Sequence, residues 1–377
     1  MKKFWIGSIV FMLMIFMANL GVAATPTGDG YTSLNRKVND LSNRFSDLES
    51  NWGRFQIGGA FTLTPTANLY KQDPTLPELD FNQQLNLSLN AAIDPNLQFI
   101  MHLAEQGSWG STATPLSMPL WVDEAYLKME SANNLNYLGR FKFSLGPLGL
   151  ISDFITDPAE GAAVQLSENN FFMIGLYSRI FEDDYLAFRT GWSNRNQVVG
   201  INFVPNGITG EKSVSFDWSA SSSTTSLAAE FGLYSFTSDE HPDLNVSMAP
   251  GALISYGRLL PSKTFIQFKA GYFSPHFTPI YSSLSYSSHY DREWFSSNSQ
   301  GVEFFMQNRL KPDLQLENRL IALAPVENFN QPDLGYRWRI DLAKNYSSLN
   351  QLQAGVDLKV LPGDISQQVF VQWNVRF

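Results

Sequence analysis

Apolar and polar residues alternate along most of the chain from residue 53 onward, and this period of two predicts strands with one apolar face. In 79–93 the apolar residues hold odd positions, interrupted by Gln83, while Asn, Gln and Ser hold the even positions from 82 to 90. Several such segments are ten to twelve residues long, which suits a tilted membrane-crossing strand, whereas globular strands average about 5 to 6 residues. The predicted strands are 54–64, 79–93, 96–105, 121–130, 135–143, 161–167, 170–179, 184–193, 197–205, 213–220, 226–236, 251–259, 264–274, 301–310, 313–323, 334–342, 352–360 and 369–377.

The connectors between these strands alternate between short and long. Tight polar turns at 94–96, 182–184 and 311–313 contrast with longer connectors at 65–78, 106–120, 146–160, 206–212, 237–250, 275–299 and 324–333. Outer-membrane barrels have short periplasmic turns and long outer loops. Residues 53–377 allow about sixteen strands at about 20 residues per strand and connector, with fourteen to eighteen as the range. The predicted fold is an all-β transmembrane antiparallel barrel, wide enough to enclose an aqueous channel.

The N-terminus has the pattern of a signal peptide. Lys2 and Lys3 precede an apolar run over 4–18, and small residues at 22–24 provide a cleavage site. We therefore expect residues 1–24 to be removed on export, and the alternative is an uncleaved membrane anchor. After residue 24 no stretch approaches the ~18 apolar residues that a membrane helix needs.

Residues 25–52 predict a periplasmic linker followed by a helix. Apolar residues recur at alternating spacings of three and four, which is the seam of three heptads. This narrow seam favours a self-associating coiled coil, and its bulky aromatic residues favour a trimer over a dimer. The alternative is an amphipathic helix that lies on its own domain. The seam residues are Tyr31, Leu34, Val38, Leu41, Phe45, Leu48 and Trp52.

The last strand carries Trp373, Val375 and Phe377 on its apolar face, and Phe377 ends the chain. An amphipathic strand that closes on an aromatic residue resembles the assembly signal of bacterial outer-membrane β-barrels. This resemblance implies insertion into outer-membrane lipid by the barrel-assembly machinery.

The chain also resembles the major trimeric porins of Firmicutes that have an outer membrane, in which a coiled coil leads into a porin barrel. The resemblance rests on the heptads at 31–52 and on short motifs at 52–57, 122–126, 138–141 and 146–150. It implies a homotrimeric porin. These porins usually carry an S-layer homology domain ahead of the coiled coil, and nothing fits it between residues 24 and 31, which leaves a wall-tethering role without support.

Composition excludes several function classes. Only 16% of residues are charged, against about 25% in soluble globular proteins, and the net charge is −9. An acidic chain without a basic cluster does not predict nucleic-acid binding, and the absence of cysteine excludes disulfides and thiol chemistry. Of the four histidines only His102 lies on a predicted strand, and no serine stands at a suggestive offset from it. We expect neither enzymatic activity nor a cofactor or bound metal.

Charged residues occupy the polar face of the alternating strands, where they would line a lumen. Arg or Lys on the lipid-facing side would instead cost about 2–4 kcal/mol near the midplane of the membrane. We expect Arg309, Arg319, Arg337 and Arg339, on three consecutive strands, to form a basic wall that faces an acidic loop and orients solutes. The alternative is that lumen Arg and Glu pair across strands and only stiffen the wall. The predicted pore-lining residues are Arg140, Lys142, Arg189, Lys269, Glu303, Arg309, Glu317, Arg319, Arg337, Arg339 and Asp341.

The connector 146–160 is unusually apolar for a loop, so it needs cover. Folding into the lumen as a constriction would cover it, and contact at a trimer interface would do so equally. In the first case Asp153, Asp157 and Glu160 become the acids of the constriction.

These observations together predict a general diffusion porin of the bacterial outer membrane that passes small hydrophilic solutes by size exclusion and lumen electrostatics. One alternative is a structural barrel that tethers envelope layers. The other is a channel specific for a sugar or an organic acid.

Overall fold

The computed structural model describes residues 55–70, 79–110, 116–117, 120–154, 158–180, 183–206, 212–235, 248–279, 298–327, 334–361 and 364–377. The predicted signal peptide, linker and coiled coil, residues 1–52, lie outside the described residues. They stay predictions.

The described part of the chain consists of β-strands joined by turns and loops. The strands are β1 (Phe55–Tyr70), β2 (Leu79–Asp94), β3 (Leu97–Gly110), β4 (Leu116–Ser117), β5 (Trp121–Glu130), β6 (Asn134–Phe141), β7 (Ala159–Glu168), β8 (Phe171–Ile180), β9 (Asp183–Ser193), β10 (Gln197–Asn206), β11 (Lys212–Ser221), β12 (Thr225–Ser235), β13 (Met248–Leu259), β14 (Thr264–Phe273), β15 (Ser299–Lys311), β16 (Leu314–Pro325), β17 (Gly335–Ser347), β18 (Asn350–Leu361) and β19 (Asp364–Arg376).

The strands form one closed antiparallel sheet. β1 pairs with β2 on one side and with β19 on the other, so the sheet has no free edge at its ends. The two-residue β4 pairs only with β3, and the ring itself continues from β3 to β5. The predicted all-β antiparallel barrel is confirmed.

The described residues contain eighteen long strands rather than about sixteen. The predicted number of strands was too low because the estimate assumed about 20 residues for each strand together with its connector. Every connector at one end of the barrel is a turn of two to four residues, as at 169–170 and 312–313, so the same length of chain holds more strands. Asn169 has φ 55°, a left-handed conformation that Asn tolerates better than most residues, which allows so short a turn.

We call this end of the barrel the turn end and the opposite end the loop end. The loop end carries the long connectors after β1, β3, β6, β12, β14 and β16. The predicted tight turn at 182–184 also lies at the loop end, between β8 and β9. Connector length alone therefore does not identify the end of the barrel.

The barrel wall has two chemically different faces, because directly paired residues share a face and successive residues alternate. One face exposes large apolar side chains on strand after strand, with Phe188, Phe216 and Phe231 each 43–52% exposed. The other face carries Arg189, Asp217 and Glu230 on β9, β11 and β12. We call these the outer face and the inner face.

The inner face is identified by the segment that follows β6. Residues of this segment share one buried apolar cluster with residues of β7, β8, β9, β10, β12 and β13, all on the face of Arg189 and Glu230. One short segment can contact strands that are so far apart only on the concave side of a curved wall, because the faces of the strands converge there. The main buried apolar cluster of the described residues therefore lies inside the barrel.

Candidate functional site: the inner face of the barrel

Residues 142–154, which we call the internal segment, cross the inside of the barrel between β6 and β7. The segment folds back on itself, since Leu145 N–H donates to Ser152 O at 3.0 Å and Phe154 N–H donates to Phe143 O at 2.6 Å. Its apolar side chains are fully or almost fully buried: Leu145, Leu150, Ile151 and Phe154 are 0–1% exposed. The packing explains why an apolar sequence is tolerated in this connector.

The internal segment rests on a seat built from small and aromatic residues. A Cβ atom on Gly232 would lie 3.1 Å from Leu150 and 3.2 Å from Ile151, so a larger residue there would press on the segment. A Cβ on Gly251 would lie 2.6 Å from the ring of Phe277, which follows β14 and is fully buried. On the other side, Phe154 packs edge to face on Tyr185 of β9, with ring centroids 5.1 Å apart. The segment is thereby held from β9 to β13.

A buried polar cluster on β9 to β12 fixes the tip of the segment. Glu230 accepts the N–H of Leu150 through Oε2 at 3.3 Å and the hydroxyl of Ser215 through Oε1 at 2.7 Å. Asp217 accepts Nδ2 of Asn202 at 2.8 Å and pairs with Nη2 of Arg189 at 2.7 Å. Glu230 and Asp217 are 0–2% exposed, and buried carboxylates require such partners. The cluster therefore holds the backbone of the internal segment at Leu150 and also gives each buried carboxylate hydrogen-bond partners.

The predicted acids of the constriction are placed differently from one another. Asp153 is 4% exposed within the internal segment, where a backbone bridge pairs it with Ser144. Asp157 lies outside the described residues. Glu160 is the second residue of β7, lies on the outer face and pairs with Arg140 at 2.5 Å. Within the described part of the chain, these acids do not form one group.

The face assignment of β6 differs from the expectation. Tyr137 pairs with Lys128 and Ala163 on the inner face, and Phe141 on the same face is fully buried. Arg140 consequently lies on the outer face, and Lys142 pairs with Asp123 at 2.6 Å. The register therefore does not give Arg140 the expected pore-lining position, while Lys142 follows the end of β6, where no strand pairing assigns it to a face. The reason is that the internal segment supplies apolar cover inside the barrel, so the aromatic side of β6 turns inward.

An ionic patch extends over β14 to β18 on the inner face. Arg337 donates from Nε and Nη2 to Asp357 at 3.0 and 2.6 Å, and Arg339 donates from Nε to Asp341 at 2.9 Å. Arg319 lies 3.5 Å from Glu303, which is also 3.6 Å from Lys269. Glu317 accepts the side-chain amides of Gln307 and Gln315 at 2.9 and 2.6 Å.

Two of the three arginines of the patch are also stacked on aromatic rings. The guanidinium of Arg339 lies 4.7 Å from the ring centroid of Phe370, and that of Arg319 lies 5.4 Å from Phe305. Stacking and ion pairing together restrict where the cations can point. Arg189, Lys269, Glu303, Glu317, Arg319, Arg337, Arg339 and Asp341 all lie on the inner face by register.

Arg309 does not join the other three arginines. It pairs with Gln315, four residues along β16 from Arg319, and donates to Pro312 O at 2.7 Å in the turn. Arg319, Arg337 and Arg339 are neighbours, but each has a carboxylate partner on the wall itself. Arg319 and Arg337 pair across strands and Arg339 pairs along its own strand, so these contacts resemble the pairing alternative more than an open basic wall.

His102 is held by a carboxylate on the next strand. Its Nδ1 lies 2.5 Å from Glu124 Oε2, and the other oxygen of Glu124 accepts the N–H of Lys142 at 3.0 Å. This contact links the start of the internal segment to β5.

Sequence reasoning missed Asn202, Ser215 and Asp217 as parts of the site. The alternation of Ser213, Ser215 and Asp217 with Val214 and Phe216 does place the first three on a polar face. The alternating pattern does not reveal that residues 145–151 cover this face. The covering contact, from Leu150 to Glu230, joins residues that are eighty positions apart in the sequence.

The C-terminal residue lies at the seam where the barrel closes. Phe377 N–H donates to Gly59 O at 3.0 Å, and Gly59 N–H donates to Phe377 O at 2.9 Å. Trp373, on the outer face, donates from Nε1 to Asn350 at 2.7 Å. Val375 pairs with Phe61 of β1.

Comparisons with known proteins identify the fold. No protein-family profile matches the chain, and no curated protein matches it. Among solved structures, the barrel is similar to OccK9 (OpdG) of Pseudomonas aeruginosa, with a TM-score of 0.62 and 12% identity over 87% of this chain and 99% of that chain. It is also similar to a BenF-like porin of Pseudomonas fluorescens Pf-5, with a TM-score of 0.60 and 10% identity over 86% and 99%.

A third similar structure is OccAB3 of Acinetobacter baumannii, with a TM-score of 0.57 and 8% identity over 86% of this chain and 99% of that chain. The chain therefore has the fold of these outer-membrane porins over most of its length. The resemblance to porins of Firmicutes receives no support from these structures.

Proposed function

We propose that this protein is a channel of the bacterial outer membrane through which small hydrophilic solutes diffuse passively. The observation that carries the proposal is the closed eighteen-stranded barrel with an apolar outer face and a polar, partly exposed inner face. Barrels of 16 to 18 strands leave an aqueous passage. The outer face supplies the apolar band that outer-membrane lipid requires.

The internal segment sets the width of the passage. It occupies the side of the lumen bounded by β9 to β13 and is anchored by Glu230 and by its apolar seat. Solutes consequently pass between this segment and the opposite wall, and selection by size follows from the space that remains. Asp153 contributes to the fold of the segment rather than to an open ring of acids.

The ionic patch supplies electrostatic filtering. Its cations and carboxylates are paired over short distances, so its field is a local pattern of alternating sign rather than one broad positive wall. Such a pattern acts on ions and dipoles that come within a few ångströms, because salt screens it beyond about 8–10 Å.

A channel specific for one solute class is the second candidate. The observation in its favour is the fixed placement of Arg319 and Arg339, each both ion-paired and stacked on an aromatic ring. Groups held in one geometry recognise a solute better than mobile ones do. Structures similar to the barrel include the BenF-like porin and several Occ proteins.

The other expected features stay predictions. A homotrimer, recognition of Trp373, Val375 and Phe377 by the barrel-assembly machinery, and a tethering role for residues 25–52 depend on residues or partners beyond those described.

Single-channel recording of the refolded protein in planar lipid bilayers tests the proposed function. We expect discrete conductance steps in KCl and permeation of small uncharged solutes in liposome swelling, with a sharp decline as solute size increases. A correctly folded barrel that gives neither steps nor swelling would contradict the proposal. Block of the current by one solute at low concentration, without block by others of equal size, would favour the second candidate.

A further inference from the structure

One part of the inner face is lined mainly by polar side chains and yet carries almost no charge. In the described residues of β19, β1 and β2, charged residues occupy inner-face positions only near the strand ends, at Asp80, Asp364 and Arg376. Most of the positions between them carry amides or hydroxyls. By contrast, the charged groups of β9 to β12 are buried under the internal segment and those of β14 to β18 form the ionic patch.

The uncharged side chains line up across five neighbouring strands. The register places Gln351, Asn374, Thr62, Gln84 and Gln106 directly beside one another from β18 through β19, β1 and β2 to β3. We call this row, together with Gln353, Gln372, Asn82 and Asn86 beside it, the amide wall. All of its members are half-buried or exposed. The amide wall therefore faces open space, unlike the buried polar cluster.

Hydrogen bonds within the amide wall orient its side chains. Thr62 Oγ1 donates to Asn374 Oδ1 at 2.9 Å, and Gln372 Nε2 donates to the same oxygen at 3.0 Å. Asn374 Nδ2 donates in turn to Gln351 Oε1 at 3.3 Å. An amide has two donor hydrogens and two acceptor lone pairs, so these bonds leave Asn374 one N–H, while Gln351 and Gln372 keep most of their capacity for other partners.

The amide wall lies across the barrel from the strand that anchors the internal segment. In the ring of eighteen long strands, β2 and β12 are nine strands apart and so lie on opposite sides of the barrel. The internal segment is anchored on β12 through Glu230. A solute that passes the segment is consequently displaced toward β1, β2 and their neighbours.

We propose that the amide wall is a binding surface for neutral polyhydroxylated solutes, the class that includes sugars. The inference rests on the proposed channel function and specifies the solute class. A sugar hydroxyl both donates and accepts, and a surface of amides and hydroxyls replaces its hydrogen bonds to water one for one. A small ion gains less there, because neutral dipoles do not repay the loss of its hydration shell. Charged solutes interact with the ionic patch instead.

The test measures block of single-channel current by maltotriose in KCl. We expect the wild-type channel to show resolved blocking events. The variant Gln84→Leu/Asn374→Leu keeps side-chain size but removes two amides of the row, and its blocking events should shorten about fivefold or more. The KCl conductance should change little, since neither residue is charged.

Two further variants make the result interpretable. Gln83→Leu is the matched control, because residue 83 is the neighbour of Gln84 on the outer face and should leave the blocking events unchanged. Thr62→Val removes one hydroxyl from the same row with minimal change of shape, so it tests the surface even if the double variant does not fold.

The possible outcomes separate the two proposals. Wild-type conductance in KCl without any block by maltotriose would overturn the inference and leave the channel function standing. Blocking events of equal length in wild type, Thr62→Val and the double variant would also overturn it. A folded wild-type barrel with no conductance would overturn the channel function, and the inference with it.

Discussion

At the scale of single residues, Glu230 controls how the internal segment is held. Both of its carboxylate oxygens are used, one for a serine hydroxyl and one for the backbone of the segment. Replacing Glu230 by Leu leaves the hydroxyl of Ser215 and the N–H of Leu150 without this acceptor, at about 1–3 kcal/mol for each buried group left unpaired. We expect a lower unfolding temperature and a noisier open-channel current.

The matched control for this change is Glu230→Gln, which keeps the shape and one acceptor oxygen. It should resemble the wild type more closely in both measurements. If the current noise of Glu230→Leu equals that of Glu230→Gln and of the wild type, the position of the segment does not depend on this residue.

Arg337 and Arg339 allow a test of the ionic patch. Each is paired with a carboxylate that is buried or nearly so, and replacing both by Ser leaves Asp357 and Asp341 without their main cation partners. We expect the ratio of K⁺ to Cl⁻ permeability to rise by about twofold or more, measured as the reversal potential in a KCl gradient.

Arg309→Ser is the control for this pair. It removes one positive charge near the turn end of β15, where Arg309 is exposed and binds a backbone carbonyl rather than a carboxylate. An unchanged reversal potential in the double variant, or an equal shift in the control, would refute a selective role of the patch.

Single-residue patterns also show where sequence reasoning stops. Tyr137, Phe141 and Phe143 fit a lipid-facing strand by hydropathy, and Arg140 and Lys142 fit a lumen. The structure reverses the two faces because the internal segment gives the aromatic rings apolar cover. Alternation reveals that two faces exist, but which one points inward depends on a contact distant in sequence.

At the scale of elements, each predicted strand corresponds to one of the eighteen long strands. The central expectation of about sixteen strands was too low, although eighteen lies within the expected range of fourteen to eighteen and the segments themselves were placed correctly. Strand positions follow from local alternation, which the sequence displays directly. The number inferred from average length depends on the connectors, and the turns of two to four residues at one end are shorter than the average assumed.

The internal segment is the element whose removal should change the channel most. Leu145 N–H bonds to Ser152 O, so the ends of the stretch between them are already close and deleting 146–151 need not strain the barrel. We expect a larger single-channel conductance and permeation of larger solutes in liposome swelling, because the tip of the segment leaves the lumen.

A matched control for this deletion is Leu138→Ala on the outer face of β6, where the side chain is 51% exposed. It should leave both conductance and the size limit as in wild type. A deletion variant with wild-type conductance would show that the passage is narrowed elsewhere.

At the scale of the whole molecule, the predicted trimer is open to a direct test. If residues 31–52 form a trimeric coiled coil, the full chain should insert into bilayers with conductance steps in groups of three. Deleting 25–52 should then give single steps of about one third the grouped size. Grouped steps that survive the deletion would place trimer contacts in the barrel, and single steps in both proteins would exclude the trimer.

The closure of the barrel gives the last prediction, since Phe377 has two roles that can be separated. Its backbone forms two hydrogen bonds with Gly59 at the seam of β1 and β19, and its ring is 58% exposed on the outer face. If the aromatic ring serves recognition during assembly, Phe377→Ala should sharply reduce the amount of barrel in the outer membrane. The same variant refolded in detergent should melt close to wild type, because the backbone bonds persist.

The conservative variant Phe377→Tyr, which keeps an aromatic ring, should restore assembly in cells. Deleting Phe377 removes the backbone bonds as well, so the refolded barrel should also melt at a lower temperature. The opposite pattern, with normal assembly of Phe377→Ala in cells and a large loss of melting temperature after refolding, would mean that the ring stabilises the seam and is not part of an assembly signal.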